Sequence, residues 1–164
     1  ADRLLCGLEV DGLDEPDAEA DDGTPTALLY AWGVAAHCGH GVSVGKPLLL
    51  PFSHDVAVLQ VACGMFGTLA RSDTGDVWFW GTVGDALSSP TPKRIEELHD
   101  VVDVATTPSG YYHGYQDKVY VSAAATRDGS LYTWGANSRK QASPFESSSS
   151  FERPTKVVLY GPVR

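Results

Sequence analysis

A chain of 164 residues with a hydrophobic fraction of 43% can bury a core of domain size, and its 17 glycines and 10 prolines point to many turns. Of the formal net charge of −9, most lies in residues 1–23, where nine acidic side chains stand against Arg3, so the rest of the chain is close to neutral and offers no basic stripe for a phosphate backbone. No apolar run approaches the roughly 18 residues of a membrane span, the N-terminal region is acidic where a signal peptide is basic, and three cysteines are an odd count for a secreted disulfide framework; the expected setting is intracellular and reducing, whether cytosol, nucleus or organelle matrix.

In chain order, residues 1–25 read as an acidic, flexible segment, with one strand expected over 4–10 (LLCGLEV) as part of a preceding module. The DGLDEPDAEADDG run fails as a calcium loop: Asp22 stands where the turn glycine belongs, and Leu28 where the bidentate glutamate should be. A strand follows at Leu28–Gly33 (LLYAWG), then a turn at His37-Cys38-Gly39-His40-Gly41. Residues 59–81 form the clearest stretch. Leu59, Val61 and Cys63 alternate with Gln60, Ala62 and Gly64; a second apolar run, Phe66 to Ala70, ends at the polar cluster 71–75; Val77-Trp78-Phe79-Trp80 makes a third strand rich in aromatic and β-branched residues. Three short strands with short turns make an antiparallel meander, which alone is marginal in water.

That module recurs. Trp-Gly pairs at 32–33, 80–81 and 134–135 return at intervals of about 50 residues, and LLYAWG, VWFWG and LYTWG are versions of one strand. The turn at Gly75-Asp76 is matched by Asp128-Gly129-Ser130, and Val61-Ala62-Cys63-Gly64 by Val104-Ala105-Thr106-Thr107. Pro-led segments at Pro47, Pro92 and Pro154 are expected to open successive modules.

These elements resemble the repeats of the regulator of chromosome condensation, which build a β-propeller of four-stranded blades. The residues that carry the resemblance are the VACG element at 61–64, Thr68-Leu69-Ala70, the turn glycines Gly75 and Gly129, the Trp-Gly pairs, and WGANSRKQAS at 134–143. This last stretch keeps Asn137 and Gln141 of the family's W-G-x-N-x-x-G-Q-L-G turn but has Lys140, Ala142 and Ser143 in place of Gly, Leu and Gly. The resemblance implies an all-β fold, a partial propeller of about three antiparallel blades over residues 26–164: a blade end at 26–41, a full blade at 47–88, an expanded blade at 90–143 and the start of the next at 153–160. Closed propellers have at least about four blades, so the expected partner is another protein subunit or further blades of the same propeller. Structural repeat positions are Trp32, Gly33, Cys63, Gly64, Gly75, Trp80, Gly81, Gly129, Trp134 and Gly135.

No chemistry-bearing constellation assembles in the sequence. His37, Cys38 and His40 lack a second paired set of metal ligands, Cys63 has no neighbouring cation to activate it, and Ser109 with His113 has no Gly-x-Ser-x-Gly elbow. No enzyme, cofactor, metal or direct nucleic-acid partner is expected. The expected function is a non-catalytic protein-interaction or scaffold module within a larger assembly; the alternative implied by the family is guanine-nucleotide exchange on a small GTPase. The expected partner contact is the insertion centred on 107–118, with Tyr111, Tyr112, His113 and Tyr115, since tyrosine supplies large contact area and a hydroxyl that tolerates a wet rim.

Overall fold

The computed structural model describes residues 28–50, 52, 56–83, 87–107 and 120–158. Among the described residues there are ten strands: β1 (Tyr30–Gly33), β2 (Val44–Leu49), β3 (Val58–Cys63), β4 (Gly67–Ser72), β5 (Val77–Thr82), β6 (Ser88–Arg94), β7 (Val101–Thr106), β8 (Val121–Thr126), β9 (Leu131–Ala136) and β10 (Ser150–Val157). They form a β1-β2 pair and two four-stranded antiparallel meanders, β3-β4-β5-β6 and β7-β8-β9-β10. The all-β partial propeller expected from the sequence is what forms, and the 59–81 stretch supplies β3, β4 and β5. The acidic segment 1–25 with its 4–10 strand lies outside the described residues.

The Pro-led segments sit differently from expectation. They close blades: β2 bonds β1, β6 bonds β5 and β10 bonds β9. The full blade therefore runs from Val58 to Arg94 and the next from Val101 to Val157, and residues 153–157 finish a sheet already begun. Proline lacks an N–H and suits a strand bonded along one side only. Each outer strand also breaks register around its proline, always opposite the same partner positions: Ala31/Gly33, Phe79/Gly81 and, on β9, Thr133/Gly135.

A second correction concerns β3. Its pairing with β4 slips between Val58 and Gln60, and that bulge reverses the phase of the apolar alternation, so Val58 is buried while Leu59 is 59% exposed. The same slip occurs between Val101 and Asp103 in β7.

Two cores lie in the seams between sheets. Leu29, Ala31 and Leu50 of the first sheet face Val58, Ala70 and Trp80 of the second. Leu69, Val77, Phe79, Val83, Ile95 and Leu98 face Val101, Val104, Ala124 and Trp134 of the third. Trp80 and Trp134 thus each point back at the preceding sheet, and both are fully buried. Trp32 takes the same place in β1 but is only half-buried, because among the described residues no sheet precedes it.

Candidate interaction surface

The Trp-Gly pair divides two tasks between adjacent residues. The tryptophan fills the seam, and the glycine permits a close approach of backbones. Gly81 (φ +74°) and Gly135 (φ +102°) lie where an added Cβ would stand 2.3 Å from the Phe66 carbonyl oxygen and 2.4 Å from that of Tyr120. Those carbonyls accept the amides of the next residues, Thr82 at 2.7 Å and Ala136 at 2.9 Å. Gly33 shares the positive φ (+126°), yet nothing stands within 4 Å of its Cβ position.

Strand directions give the blades two rims. One carries the β4–β5 and β8–β9 hairpin tips, where Gly75 (φ +82°) and Gly129 (φ +80°) donate to the carbonyls of Ser72 and Thr126. Gly75 also accepts the Val101 amide at 3.0 Å, which ties one blade's tip to the next blade's first strand. On this rim a groove of about 440 Å³ is lined by Glu97, His99, Asp100, Thr126, Arg127, Asp128 and Tyr132. Asp128 is held as a carboxylate: the Thr126 hydroxyl, the Ser130 amide and the Ser130 hydroxyl all donate to it, and Lys156 adds attraction, so its pKa falls from the usual 3.8 to about 2. Arg153 pairs with Glu97 nearby, and Arg94 with Asp76 at 3.0 Å.

The opposite rim carries the β1–β2, β3–β4, β7–β8 and β9–β10 connections. A row of rings crosses it: His37 stands 6.1 Å from Phe66, and Phe66 meets Tyr120 edge-on at 6.4 Å. Met65 beside them is 36% exposed. The β3–β4 turn closes tightly, with the Gly64 amide on the Gly67 carbonyl at 2.8 Å; the equivalent bond, Thr107 amide to Val121 carbonyl at 3.0 Å, closes the base of the expanded turn. The expected contact residues Tyr111, Tyr112, His113 and Tyr115 fall within 108–119, outside the described residues, but Thr107 and Tyr120 fix that segment's two ends on this rim beside the row of rings.

Further along the same rim, Asn137 organises residues 138–149. Its buried amide accepts from the Ala142 and Ser143 amides at 3.1 and 2.9 Å and donates to the Ser148 carbonyl at 2.8 Å. Lys140 keeps the left-handed backbone (φ +63°) of the glycine it replaces in the repeat pattern, and Phe145 is presented to solvent at 62% exposure.

The other candidates singled out from the sequence resolve into backbone and packing roles. The Cys38 thiol donates to the Val42 carbonyl, and His40 Nε2 lies 3.1 Å from the carbonyls of both Ala31 and Leu48. Gly39 (φ +79°) lies against Leu50 and the Trp80 indole. No group of three or more His, Cys, Asp or Glu side chains with metal-ligating placement occurs among the described residues. Cys63 is half-buried at the end of β3, and Gly64 packs against Thr106 and Thr107. Gln60, which the sequence pattern did not single out, reaches across the second seam: its Nε2 donates to Asp103 Oδ1 at 2.6 Å and to the Val104 carbonyl at 3.1 Å, while its Oε1 accepts the Val104 amide at 3.2 Å. A polar residue immediately ahead of VACG was the available signal.

No family model matches the chain. Over 125 residues it is 34% identical to the human E3 ubiquitin-protein ligase HERC2, covering 68% of this chain and 2% of that protein. It is 30% identical over 115 residues to the ultraviolet-B receptor UVR8 of Arabidopsis thaliana, covering 65% of this chain and 24% of the receptor. Among solved structures, Prp20p of Saccharomyces cerevisiae, described with its binding to Gsp1p and histones, superposes with a TM-score of 0.61 at 21% identity, over 84% of this chain and 35% of that one. The chain thus spans a quarter or less of the two curated relatives.

Proposed function

Because the chain belongs to the repeat family of the regulator of chromosome condensation, we propose that it is a non-catalytic protein-interaction module whose contact surface is the rim bearing the β3–β4 and β7–β8 turns. The observation that carries this reading is the row His37, Phe66 and Tyr120, which leads across three modules to the base of the tyrosine-rich 108–119 segment. Tyr120 is itself buried and anchors the base of that segment, while the half-buried His37 and Phe66 with the exposed Met65 offer contact area with little rotamer entropy to lose in the rings. Rigid blades holding variable loops suit binding, and that role asks nothing of an active site. The partner is another protein, in keeping with the Gsp1p and histone binding described for the yeast propeller.

The test replaces residues 108–117 by Asn-Gly, which brings the β7–β8 turn close to the length of its β3–β4 counterpart. The variant folds and its partner affinity, measured after capture and identification of that partner with the unaltered chain, falls at least tenfold. Retention of full affinity would place the contact elsewhere. A nucleotide-release assay against a panel of small GTPases addresses the exchange function: the proposal expects the spontaneous rate, and acceleration overturns it.

A further inference from the structure

Strand β6 combines a short sequence pattern with an exposed and irregular edge. Five serine or threonine residues of the chain stand immediately ahead of a proline: Thr24, Ser89, Thr91, Thr107 and Ser143. Of these, only Thr91 also has a basic residue three positions on, in Thr91-Pro92-Lys93-Arg94. Among the described residues it is also the one of the five presented to solvent. Ser89 and Ser143 are 2% and 4% exposed, and the half-buried Thr107 has its hydroxyl occupied by the Val121 amide at 3.2 Å. The pairing of β6 with β5 slips between Phe79 and Gly81, which leaves residues 90–92 opposite the single position of Trp80. Pro90 and Pro92 have no N–H, the Thr91 amide turns back to Ser89 Oγ at 3.4 Å, and the Pro90 carbonyl accepts the Gly41 amide at 3.0 Å. A residue ahead of a proline is also biased to extended backbone, so Thr91 is held extended without a ladder donor on either flank. The residue facing its methyl is Gly41, whose Cβ position lies 3.4 Å away, and a glycine there brings no side chain over the hydroxyl.

We propose that Thr91 is a phosphorylation site for a proline-directed protein kinase that reads a basic residue three positions after the acceptor. A kinase takes its substrate as an extended chain, and the geometry of 90–92 supplies one within the folded blade. A proline after the acceptor brings no N–H to be stripped of water and left unpaired on docking. Arg94 is the basic determinant. It pairs with Asp76 at 3.0 Å with its side chain 35% exposed, a partly exposed ion pair of the kind that stabilises little and is open to exchange for a kinase carboxylate. In the reaction Thr91 Oγ1 attacks the γ-phosphorus of ATP, the bond from that phosphorus to the bridging oxygen breaks, ADP leaves, and the hydroxyl proton passes to the kinase's catalytic aspartate. The product places a charge of about −1.5 to −2 on the edge of β6, between the β1–β2 turn at Gly41 and the cationic Lys93 and Arg94.

The test incubates the folded full chain with ATP and a cyclin-dependent kinase and maps the product by peptide mass. Thr91 is the residue modified, and Thr91→Ala removes that modification. Arg94→Ala lowers kcat/KM at Thr91 by at least about tenfold, whereas Arg94→Lys retains it. A rate that Arg94→Ala leaves unchanged or raises overturns the proposal, because it would make loosening of the edge, and not the basic side chain, the determinant. Should Arg94→Ala not fold in the chain, the same substitution in a synthetic peptide of residues 88–96 gives the answer. The unaltered peptide also measures presentation: the folded chain reacts at Thr91 within about tenfold of its rate, as a segment already extended does. A larger deficit in the folded chain, or modification at the other Ser/Thr-Pro positions with Thr91 untouched, overturns the proposal as well.

Discussion

The two seams of this molecule occupy equivalent backbone positions and are filled in different ways. In the first, Ala31 stands where the second has Phe79, and the missing volume is supplied by Phe52, whose ring lies 5.2 Å from Trp78 and 6.0 Å from Trp80. In the second, Phe79 and Leu69 fill the space directly, and two polar ties join the sheets: the Gln60 amide paired with the Val104 main chain, and the Ser122 hydroxyl on the Val83 carbonyl at 2.9 Å. The repeat therefore fixes backbone course, the tryptophan and the glycine beside it. Complementarity is settled seam by seam, which is how successive modules diverge in side chains without losing the stack.

The comparison breaks most readily at the tryptophans. Trp80→Ala and Trp134→Ala each cost about 3–5 kcal/mol, since each removes a fully buried indole that its seam cannot refill; Trp32→Ala, at a half-buried position, costs less than half as much. Chemical denaturation of the three variants reads the ranking directly, and equal losses would remove the distinction between enclosed and open positions. Next come the glycines. Gly81→Ala and Gly135→Ala combine left-handed strain with a clash against a carbonyl oxygen, about 2–4 kcal/mol by thermal melt. Gln60→Ala sharpens the contrast between seams: the Val104 main chain loses its partner, for about 1–2 kcal/mol, with the loss confined to the second seam and visible as faster exchange of the Val104 amide.

The smallest effect is a pH dependence at the β8–β9 tip. Asp128 has a folded pKa of about 2 against an ordinary 3.8, so the stability it lends is present above pH 4 and is lost as pH falls from about 4 toward 2. A carboxyl titration followed by NMR should show that midpoint. In Thr126→Val, which removes the first of its donors, the midpoint rises toward the ordinary value.

Much of the fold was legible in the sequence because the features that fix it are local. Trp-Gly spacing, the turn glycines, the apolar runs of 59–81 and the match of Val104–Thr107 to Val61–Gly64 located β1, β3, β4, β5, β7 and β9. What was not legible depended on partners far along the chain. The Pro-led segments lie between two modules, and only pairing decides which one each joins. The β3 bulge that exposes Leu59 leaves no mark in a period-2 count. Gln60 finds its partners 43 and 44 residues away. Lys140 showed the reverse: a departure from the repeat pattern left the backbone in place, with the side chain tolerated at φ +63° because Asn137 holds the loop from within. On the candidate surface, the tyrosines of the insertion were legible as composition, whereas the row from His37 to Tyr120 required three turns to be brought to one rim.

The stack of blades depends on adjacent sheets sharing one core across a seam. A double-mutant cycle with Leu69→Ala on the second sheet and Trp134→Phe on the third tests this, since both side chains belong to the same buried cluster. Denaturant unfolding of the unaltered chain, the two single variants and the double variant should give a coupling energy of about 1 kcal/mol or more. Additivity to within about 0.5 kcal/mol would contradict a shared core and leave the two sheets as independent units.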